Sequence, residues 1–371
     1  MDIVSMKIEG RVLAVWLLLA LACNSSRGVS DTAAASGGAG QGPAAEADPA
    51  ESRKFIFLDL KGRPYERGFR HGKALREQIQ QDIAIWKTNL GETFKADPDN
   101  FIRKFVAGTN YLPSIQKWTP ELLEEVRGIS DGSGVDFNTI LVFQLVGEYW
   151  VNGGVISAEH CSAMATAGTA KHPGIVAQNM DLETYRDGFQ TILRIEEPSG
   201  LHELILTQPG LIGFNGMNSR GVGVVVNTVA QLAHAKEGLP VAFVMRGALE
   251  RTSYADVASF LETVQHASGQ NYTVGTPGHA GYFEASAHKV VEVPGVDDGS
   301  FLYHTNHPVA NQDYSAEGVK AMAQPDQKDN SHTRYQSLQK RLASDPGADA
   351  IEDIRGFCAR TIRSNLRFAV R

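Results

Sequence analysis

Glu159-His160-Cys161-Ser162-Ala163-Met164-Ala165-Thr166, followed after a short turn by Ile175-Val176-Ala177-Gln178-Asn179-Met180-Asp181, divides the chain into unlike halves. Upstream, apolar residues recur mostly at helical spacing. Downstream, short apolar runs bounded by turn residues read as strands. A single thiol stands at the boundary.

Outward from Asp181, Gln190 to Ile195 and Glu203 to Thr207 read as strands. Gly210 to Gly216 and Val222 to Asn227 flank the turn Asn218-Ser219-Arg220-Gly221, a hairpin signal. Helical spacing predicts helices over Pro240 to Glu250 and Tyr254 to His266, the second capped by Ser253. Strands resume over Tyr272 to Gly275, Gly281 to Ala285, Lys289 to Val293 and Phe301 to His304. Helices follow over His332 to Leu342 and Ala350 to Arg363. Strands, a helical pair, strands and then helices predict an α+β fold of stacked sheet and helix layers, not alternating βαβ units.

On the upstream side, Phe55 to Leu60 is a short strand, and a helix begins after Pro64, with Gly68, Gly72, Leu75, Ile79, Ile83 and Trp86 at three- and four-residue spacing. Gly68 and Gly72 weaken that helix, so they either serve a close approach to another element or mark a frayed first turn. Thr119-Pro120 opens another helix with Leu122, Leu123, Val126 and Ile129 on its apolar face, stopped by Gly132-Ser133-Gly134. Asp136 caps a third, Thr139 to Trp150, whose nearly continuous apolar residues predict deep burial. This half holds no nucleophile–base pair and reads as scaffold and pocket wall.

The 371 residues suffice for one large domain or two ordinary ones. A formal charge of −7 with both signs mixed lacks the basic stripe of a nucleic-acid binder. Three cysteines, Cys23, Cys161 and Cys358, are too few for a disulfide framework and too scattered for a zinc site. At the N-terminus, Lys7 and Arg11 precede an apolar run, Val12 to Ala22, too short to span a bilayer. That is the pattern of an export signal. Its end, Leu19-Ala20-Leu21-Ala22-Cys23, resembles a bacterial lipoprotein box, in which the Cys is acylated and the signal removed; plain secretion with an incidental Cys is the alternative. Two or more acyl chains would anchor stably. From Asn24 to about Ser52 the chain is Ala, Gly, Ser and Pro, a tether with too few large apolar side chains to fold. The expected division is therefore a signal over 1–22, a tether over 23–52 and a single domain over 53–371.

Several segments together carry a resemblance. Upstream they are Gly62-Arg63-Pro64-Tyr65-Glu66-Arg67-Gly68 and Pro120 to Val135. Downstream they are Cys161-Ser162-Ala163, Gln178-Asn179-Met180-Asp181, Asn218 to Gly223, Asn227 and His304-Thr305-Asn306-His307. In order and spacing they resemble the acyl-coenzyme A:6-aminopenicillanic acid acyltransferase-like family, the C45 peptidases. These are N-terminal nucleophile hydrolases related to choloylglycine hydrolases. The resemblance runs from about Gly62 to Tyr335. It implies a four-layer αββα sandwich and self-cleavage between His160 and Cys161, giving a small chain 53–160 with its tether and a large chain 161–371. The family pattern carries further strands beyond the position of Arg371, so the resemblance also implies a C-terminally truncated fold. His160 stands where the penicillin enzyme has Gly.

The resemblance assigns roles residue by residue. Cys161, once N-terminal, is the nucleophile and uses its own α-amine, of pKa near ~8, as base. Asp181 matches an acidic position beside the new amine. Asn227 matches the position whose side-chain amide helps hold the oxyanion, Arg334 a family Arg near the catalytic centre, and Asn306 a second polar contact. Some of these residues also have a plainer reading. A lone Cys on a strand is most often a small buried apolar side chain. Asn227 and Asp181 suit turns or surface, and Cys358 suits packing. His304 and His307 hint at a metal but at a strand end are more often structural. No metal and no cofactor are expected.

The leading expectation is an exported hydrolase of acyl or aminoacyl amides, lipid-anchored at Cys23 to a bacterial membrane. An acyltransferase moving an acyl group from a thioester or amide to an amine is the second, disfavoured by export because coenzyme A thioesters are cytosolic. A catalytically silent lipoprotein that keeps the fold as a binding module is the third. The expected partners are a small-molecule amide, the membrane and the two processed chains of one precursor, with no nucleic acid.

Overall fold

The computed structural model describes residues 5–8, 11–14, 55–154, 161–170, 172–322 and 325–342. Cys23, the tether, His160, Cys358 and the helix expected over Ala350 to Arg363 lie outside the described residues. Strands β1 (Ser5–Ile8) and β2 (Arg11–Ala14) pair as a separate antiparallel ribbon. Among the described residues no helix is long and apolar enough to cross a membrane.

The upstream half supplies β3 (Ile56–Lys61) and helices α1 (Pro64–Ala74), α2 (Arg76–Phe94), α3 (Pro98–Gly108), α4 (Tyr111–Trp118), α5 (Pro120–Ser133), α6 (Phe137–Phe143) and α7 (Val146–Asn152). The downstream half supplies β4 (Ser162–Thr166), β5 (Ile175–Asn179), β6 (Thr191–Glu196), β7 (His202–Thr207), β8 (Asn215–Asn218) and β9 (Gly223–Thr228). After these come α8 (Val241–Leu249), α9 (Tyr254–Thr263), β10 (Gln270–Gly275), β11 (Ala280–Ala285), β12 (Val290–Val296), β13 (Phe301–His304), α10 (Ala316–Met322) and α11 (Pro325–Leu342).

The strands form two main sheets. One has eight strands in the order β12-β11-β10-β9-β8-β7-β6-β3, the other three in the order β13-β4-β5. All pairings are antiparallel except that of β3 with β6. The expected Asn218–Gly221 hairpin joins β8 to β9, with Gly221 at φ +86°.

Strand alternation sorts the side chains of the small sheet into two layers. On β4 and β5, Ala163, Ala165 and Val176 pack with Val225 and Ala280 of the large sheet. Met164, Ile175 and Ala177, on the opposite face, pack with Leu338 of α11. The other face of the large sheet carries the main core, with Leu193, Ile205, Val224 and Val226 against α2, α5, α6 and α8. The four layers are therefore helices, large sheet, small sheet and helix, an αββα sandwich.

Three upstream readings need revision. The helix after Pro64 is two helices, broken at Leu75. The helix expected over Thr139 to Trp150 is also two, interrupted at Gln144 and Leu145. Helices α3 and α4 had no reading at all. Gly68 and Gly72, by contrast, mark a close approach and not a frayed turn. A Cβ on Gly68 would lie 2.0 Å from the Glu125 carbonyl oxygen, and one on Gly72 would lie 2.3 Å from that of Ile129. Gly128 and Gly132 of α5 reciprocate against the backbone of α1. Helices this close leave no room for any other residue.

Candidate active site

Cys161 immediately precedes β4 and is buried. Arg334, on α11, reaches it from the outer helical layer. Its Nη1 donates to the Cys161 carbonyl oxygen at 2.5 Å and to Ser162 Oγ at 2.9 Å. Nη2 donates to Asn306 Oδ1 at 2.9 Å, and Nε to Asn330 Oδ1 at 2.7 Å. One planar guanidinium thus serves four acceptors, a geometry that suits Arg and not Lys.

Asn306 continues the connection. Its Nδ2 donates to the Thr228 carbonyl oxygen at 3.0 Å, at the end of β9, and its backbone N–H donates to Ser331 Oγ at 2.9 Å on α11. Gln178 on β5 donates to the Val226 carbonyl oxygen at 2.5 Å. The ends of β5 and β9 are therefore held together, and Asp181 lies two residues past the end of β5.

Cys161 and Asp181 line a common cavity of about 280 Å³. Its walls are largely apolar, with Val146, Leu182, Phe214, Val226, Val241 and Met245, and a few polar groups, Gln144, Glu183, Arg186, Thr228 and Gln270, punctuate them. Such composition is usual where a small organic ligand binds. Burial pushes the Asp181 carboxyl up to about 6, against the opposing pull of the Arg334 guanidinium. Burial also lowers the Arg334 guanidinium, with Cys161 and Asp181 working the other way; it remains a cation.

Asn227 sits on β9 opposite Asn271 of β10, facing the layer between the sheets as Val225 does. Its Oδ1 accepts from Asn271 Nδ2 at 3.4 Å, and its buried Nδ2 meets no protein acceptor among the described residues. It lies beside the cavity-lining residues Val226 and Thr228 without lining the cavity itself. The structure thus brings Cys161, Asp181, Arg334 and Asn306 into one connected group, with Asn227 in the adjoining interior. His304 and His307 are engaged elsewhere: His304 Nε2 donates to Glu284 at 2.7 Å, and the His307 ring stacks on His332.

Several residues had no reading from the sequence. Gln144 occupies the α6–α7 break, where Nε2 donates to the Ile140 and Gly210 carbonyl oxygens and Oε1 accepts from Ile212 N–H. It so clamps the Gly210–Phe214 turn that forms one cavity wall. His71 supports the same turn, its Nε2 accepting from Gly210 N–H at 3.0 Å. Burial lowers that imidazole to about 4, keeping it the neutral acceptor the contact requires. The interruption of an apolar helix by Gln144 was the available signal.

The chain is similar to several known proteins. The sequence model of the family described as acyl-coenzyme A:6-aminopenicillanic acid acyl-transferase matches residues 168–363, just over half of the chain. Asp181, Asn227, Asn306 and Arg334 fall inside the match, and Cys161 shortly before it. The acyl-coenzyme A:6-aminopenicillanic-acid-acyltransferase 40 kDa form of Emericella nidulans is 26% identical over 273 residues, covering 72% of this chain and 73% of that one. Protein dcd1B of Dictyostelium discoideum is 26% identical over 225 residues, 54% of this chain and 43% of its own. Among solved structures, penicillin V acylase from Agrobacterium tumefaciens aligns over 56% of this chain and 64% of its own, with a TM-score of 0.31 and 12% identity. The chain thus spans under two thirds of the length of the last two proteins.

Proposed function

The chain belongs to the acyl-coenzyme A:6-aminopenicillanic acid acyl-transferase family, and from that premise we propose that it is an exported, self-processing hydrolase of linear amide C–N bonds with Cys161 as N-terminal nucleophile. The observation that carries this reading is the Arg334 guanidinium on Cys161 and Ser162 beside a cavity that Cys161 and Asp181 both line.

Cleavage between His160 and Cys161 frees the Cys161 α-amine. The amine takes the thiol proton, and the sulfur adds to the carbonyl carbon of a bound amide. The resulting oxyanion is assigned to the Asn227 side-chain amide by the family position it matches, and its buried Nδ2–H meets no protein acceptor among the described residues. Losing one such donor typically costs on the order of 10²–10³ in rate. The C–N bond then breaks, the departing amine takes the proton from the Cys161 ammonium, and a thioester remains. Water attacks the thioester with the α-amine again as base, releasing the acid and the thiol. Asp181, as carboxylate, orients the amine; Arg334 and Asn306 hold the Cys161 main chain. The apolar cavity walls hold the acyl group.

The substrate is a small-molecule amide. A transferase reading, in which an amine replaces water at the thioester, is favoured by the acyltransferase activity for which the family and the Emericella nidulans relative are named. Lipid anchoring at Cys23 on the outer side of a bacterial membrane rests on the sequence pattern at the N-terminus. In that setting, loss of the protein from the membrane fraction on Cys23→Ala is the expected result.

Intact-mass measurement of the purified protein tests the core of the reading. Two chains meeting at His160–Cys161 are expected, and a single chain in Cys161→Ala. An uncut wild-type chain whose mass pattern matches that of Cys161→Ala would sink the self-processing proposal. Product formation from an amide with and without an added acyl thioester then separates hydrolase from transferase.

A further inference from the structure

The loop that carries Asn306 is closed by one buried carboxylate. Glu284, on β11, is buried in the interior. Its Oε1 accepts from His304 Nε2 at 2.7 Å and from Val309 N–H at 2.6 Å. Its Oε2 accepts from Ala310 N–H at 2.8 Å and Asn311 N–H at 2.6 Å. Asn311 Nδ2 also donates to the Glu284 carbonyl oxygen at 3.0 Å. His304 ends β13 and the Val309–Asn311 segment is the loop's return, so both ends of the loop are tied to the same side chain.

A buried carboxylate persists when its lone pairs are met by donors. Burial pushes Glu284 up, but the hydrogen bonds of His304, Asn311 and Val309 outweigh that and hold it below the usual carboxylate range. The charge is thus committed to a segment that contains Asn306. That residue in turn links the end of β9, Ser331 of α11 and the Arg334 guanidinium.

We propose that Glu284 is a positioning residue of the Cys161 centre: by closing the Thr305–Asn311 loop it holds Asn306, and through Asn306 it holds Arg334 on Cys161. This rests on the reading of Cys161 as nucleophile. Glu284 does not touch the substrate cavity; it acts through two intermediaries. The charged groups around Cys161 itself are Asp181 after β5 and Arg334 on α11, with Glu183 and Arg186 lining the same cavity.

The test uses the full-length protein and Glu284→Gln, Asn306→Ala and their combination. Three quantities are read: kcat and KM on the best amide, the pH dependence of iodoacetamide alkylation at Cys161 located by mass spectrometry, and Tm. Glu284→Gln is expected to lower kcat about tenfold or more with KM within about twofold, since small misplacements of a reacting group are costly. It is expected to move the alkylation profile upward by roughly half to one pH unit as the Arg334 charge loosens. Asn306→Ala should do the same, and the double variant should add little, because both act on one connection. An unchanged kcat and alkylation profile with only a lower Tm overturns the proposal, and so does full additivity of the two substitutions. If Glu284→Gln fails to fold, Asn311→Ala removes one tie while leaving the carboxylate in place and should shift both readouts in the same direction. If the unaltered protein turns over no amide, the hydrolase reading fails, while the alkylation profile still decides the part played by Glu284.

Discussion

Substitutions at Arg334 separate charge from geometry at the candidate site. Its guanidinium donates to the Cys161 carbonyl oxygen, Ser162 Oγ, Asn306 Oδ1 and Asn330 Oδ1, and its charge opposes the effect of burial on Asp181. With that charge present the Asp181 carboxyl lies at about 6. An opposite charge within ~4–6 Å is worth ~1–3 pKa units to a carboxylate. Arg334→Met should therefore move Asp181 upward by at least about one unit, to above about 7. Because the proposed mechanism needs the carboxylate, the acid limb of the kcat/KM profile should move with it, so that activity is lost at higher pH than in wild type. Removing charge-assisted hydrogen bonds worth ~1.5–3 kcal/mol each should in addition cut kcat/KM by at least about 10². Arg334→Lys provides the control. A lysine keeps the charge, so the limb should stay within about half a unit of wild type. The rate should still fall, because an ammonium cannot match the planar fork that serves four acceptors. Carboxyl NMR of Asp181 follows the same titration without reference to turnover. An acid limb and an Asp181 titration that stay in place in Arg334→Met, or move to lower pH, would refute the assignment of this pair.

Asp181→Asn should stabilise the fold at neutral pH even as it abolishes turnover. A carboxyl raised from 3.8 to about 6 by folding favours the folded state below pH 3.8 and loses that contribution as pH rises through 6, about 3 kcal/mol in all; urea midpoints of the two proteins should differ at pH 7 and coincide below pH 4. Glu125→Gln should do the reverse. Glu125 is buried between Arg67, at 2.6 Å, and Arg246, at 3.1 Å; burial raises it, and the two guanidinium groups more than reverse this, holding it at about 2. Breaking a buried pair from one side typically costs ~3–5 kcal/mol. The excess stability of wild type should be complete above pH 4.5 and shrink as pH falls towards 2, and a pH-independent difference would count against the charge network. Gly132→Ala tests the α1–α5 contact, since the added Cβ would lie 2.3 Å from the Phe69 carbonyl oxygen. Helix propensity alone predicts a gain of ~1 kcal/mol, whereas overpacking predicts a loss of ~1–3 kcal/mol and a lower calorimetric Tm; a higher Tm would mean the helices are not so close.

Periodicity made the downstream half legible because each of its strands is a short apolar run between turn residues, as in Val222 to Asn227. The upstream half was harder. The breaks at Leu75 and at Gln144–Leu145 fall inside continuous helical spacing, where no Pro or Gly announces them. Gln144, a polar residue in an apolar run, hints at the second break, but the turn it clamps is far away in sequence and local pattern cannot record that partner. The same limit explains the site. Cys161, Asp181, Asn306 and Arg334 could be named from their surroundings in the sequence and do come together. Glu284 and His71 could not, and Gln178 only as part of a motif, because each makes contacts with main-chain groups that the fold alone brings near. Arg67, Glu125 and Arg246 read separately as polar positions on helices, and only packing α1, α5 and α8 against the large sheet turns them into one buried network.

Strand alternation at β4 gives Cys161 two unlike neighbourhoods. On the α11 side stand the polar contacts: Arg334 on the carbonyl oxygen and Ser162, with Asn306 behind it. On the cavity side stand the apolar walls with Asp181 at their edge. A nucleophile placed inside either layer would have only one of these. Immediately before the strand the main chain can be gripped from the polar side while the residue also borders the apolar cavity. This placement separates two requirements that conflict elsewhere, since groups that manage protons favour charge and groups that bind an acyl chain exclude it. It also accounts for the proposed scissile bond. Cleavage before a residue at the start of β4 leaves the strand's ladder to β5 and β13 intact, because the first paired residue of β4 with β5 is Ser162 and with β13 is Ala163. A cut two residues further on would sever the chain inside paired strand and detach Ser162 from Arg334. Moving the cysteine by one position, as Cys161→Ala with Ser162→Cys, should therefore leave the fold intact and abolish both processing and turnover. Intact mass and amide hydrolysis measure the two outcomes, and an active shifted cysteine would show that the strand start is not what selects the site.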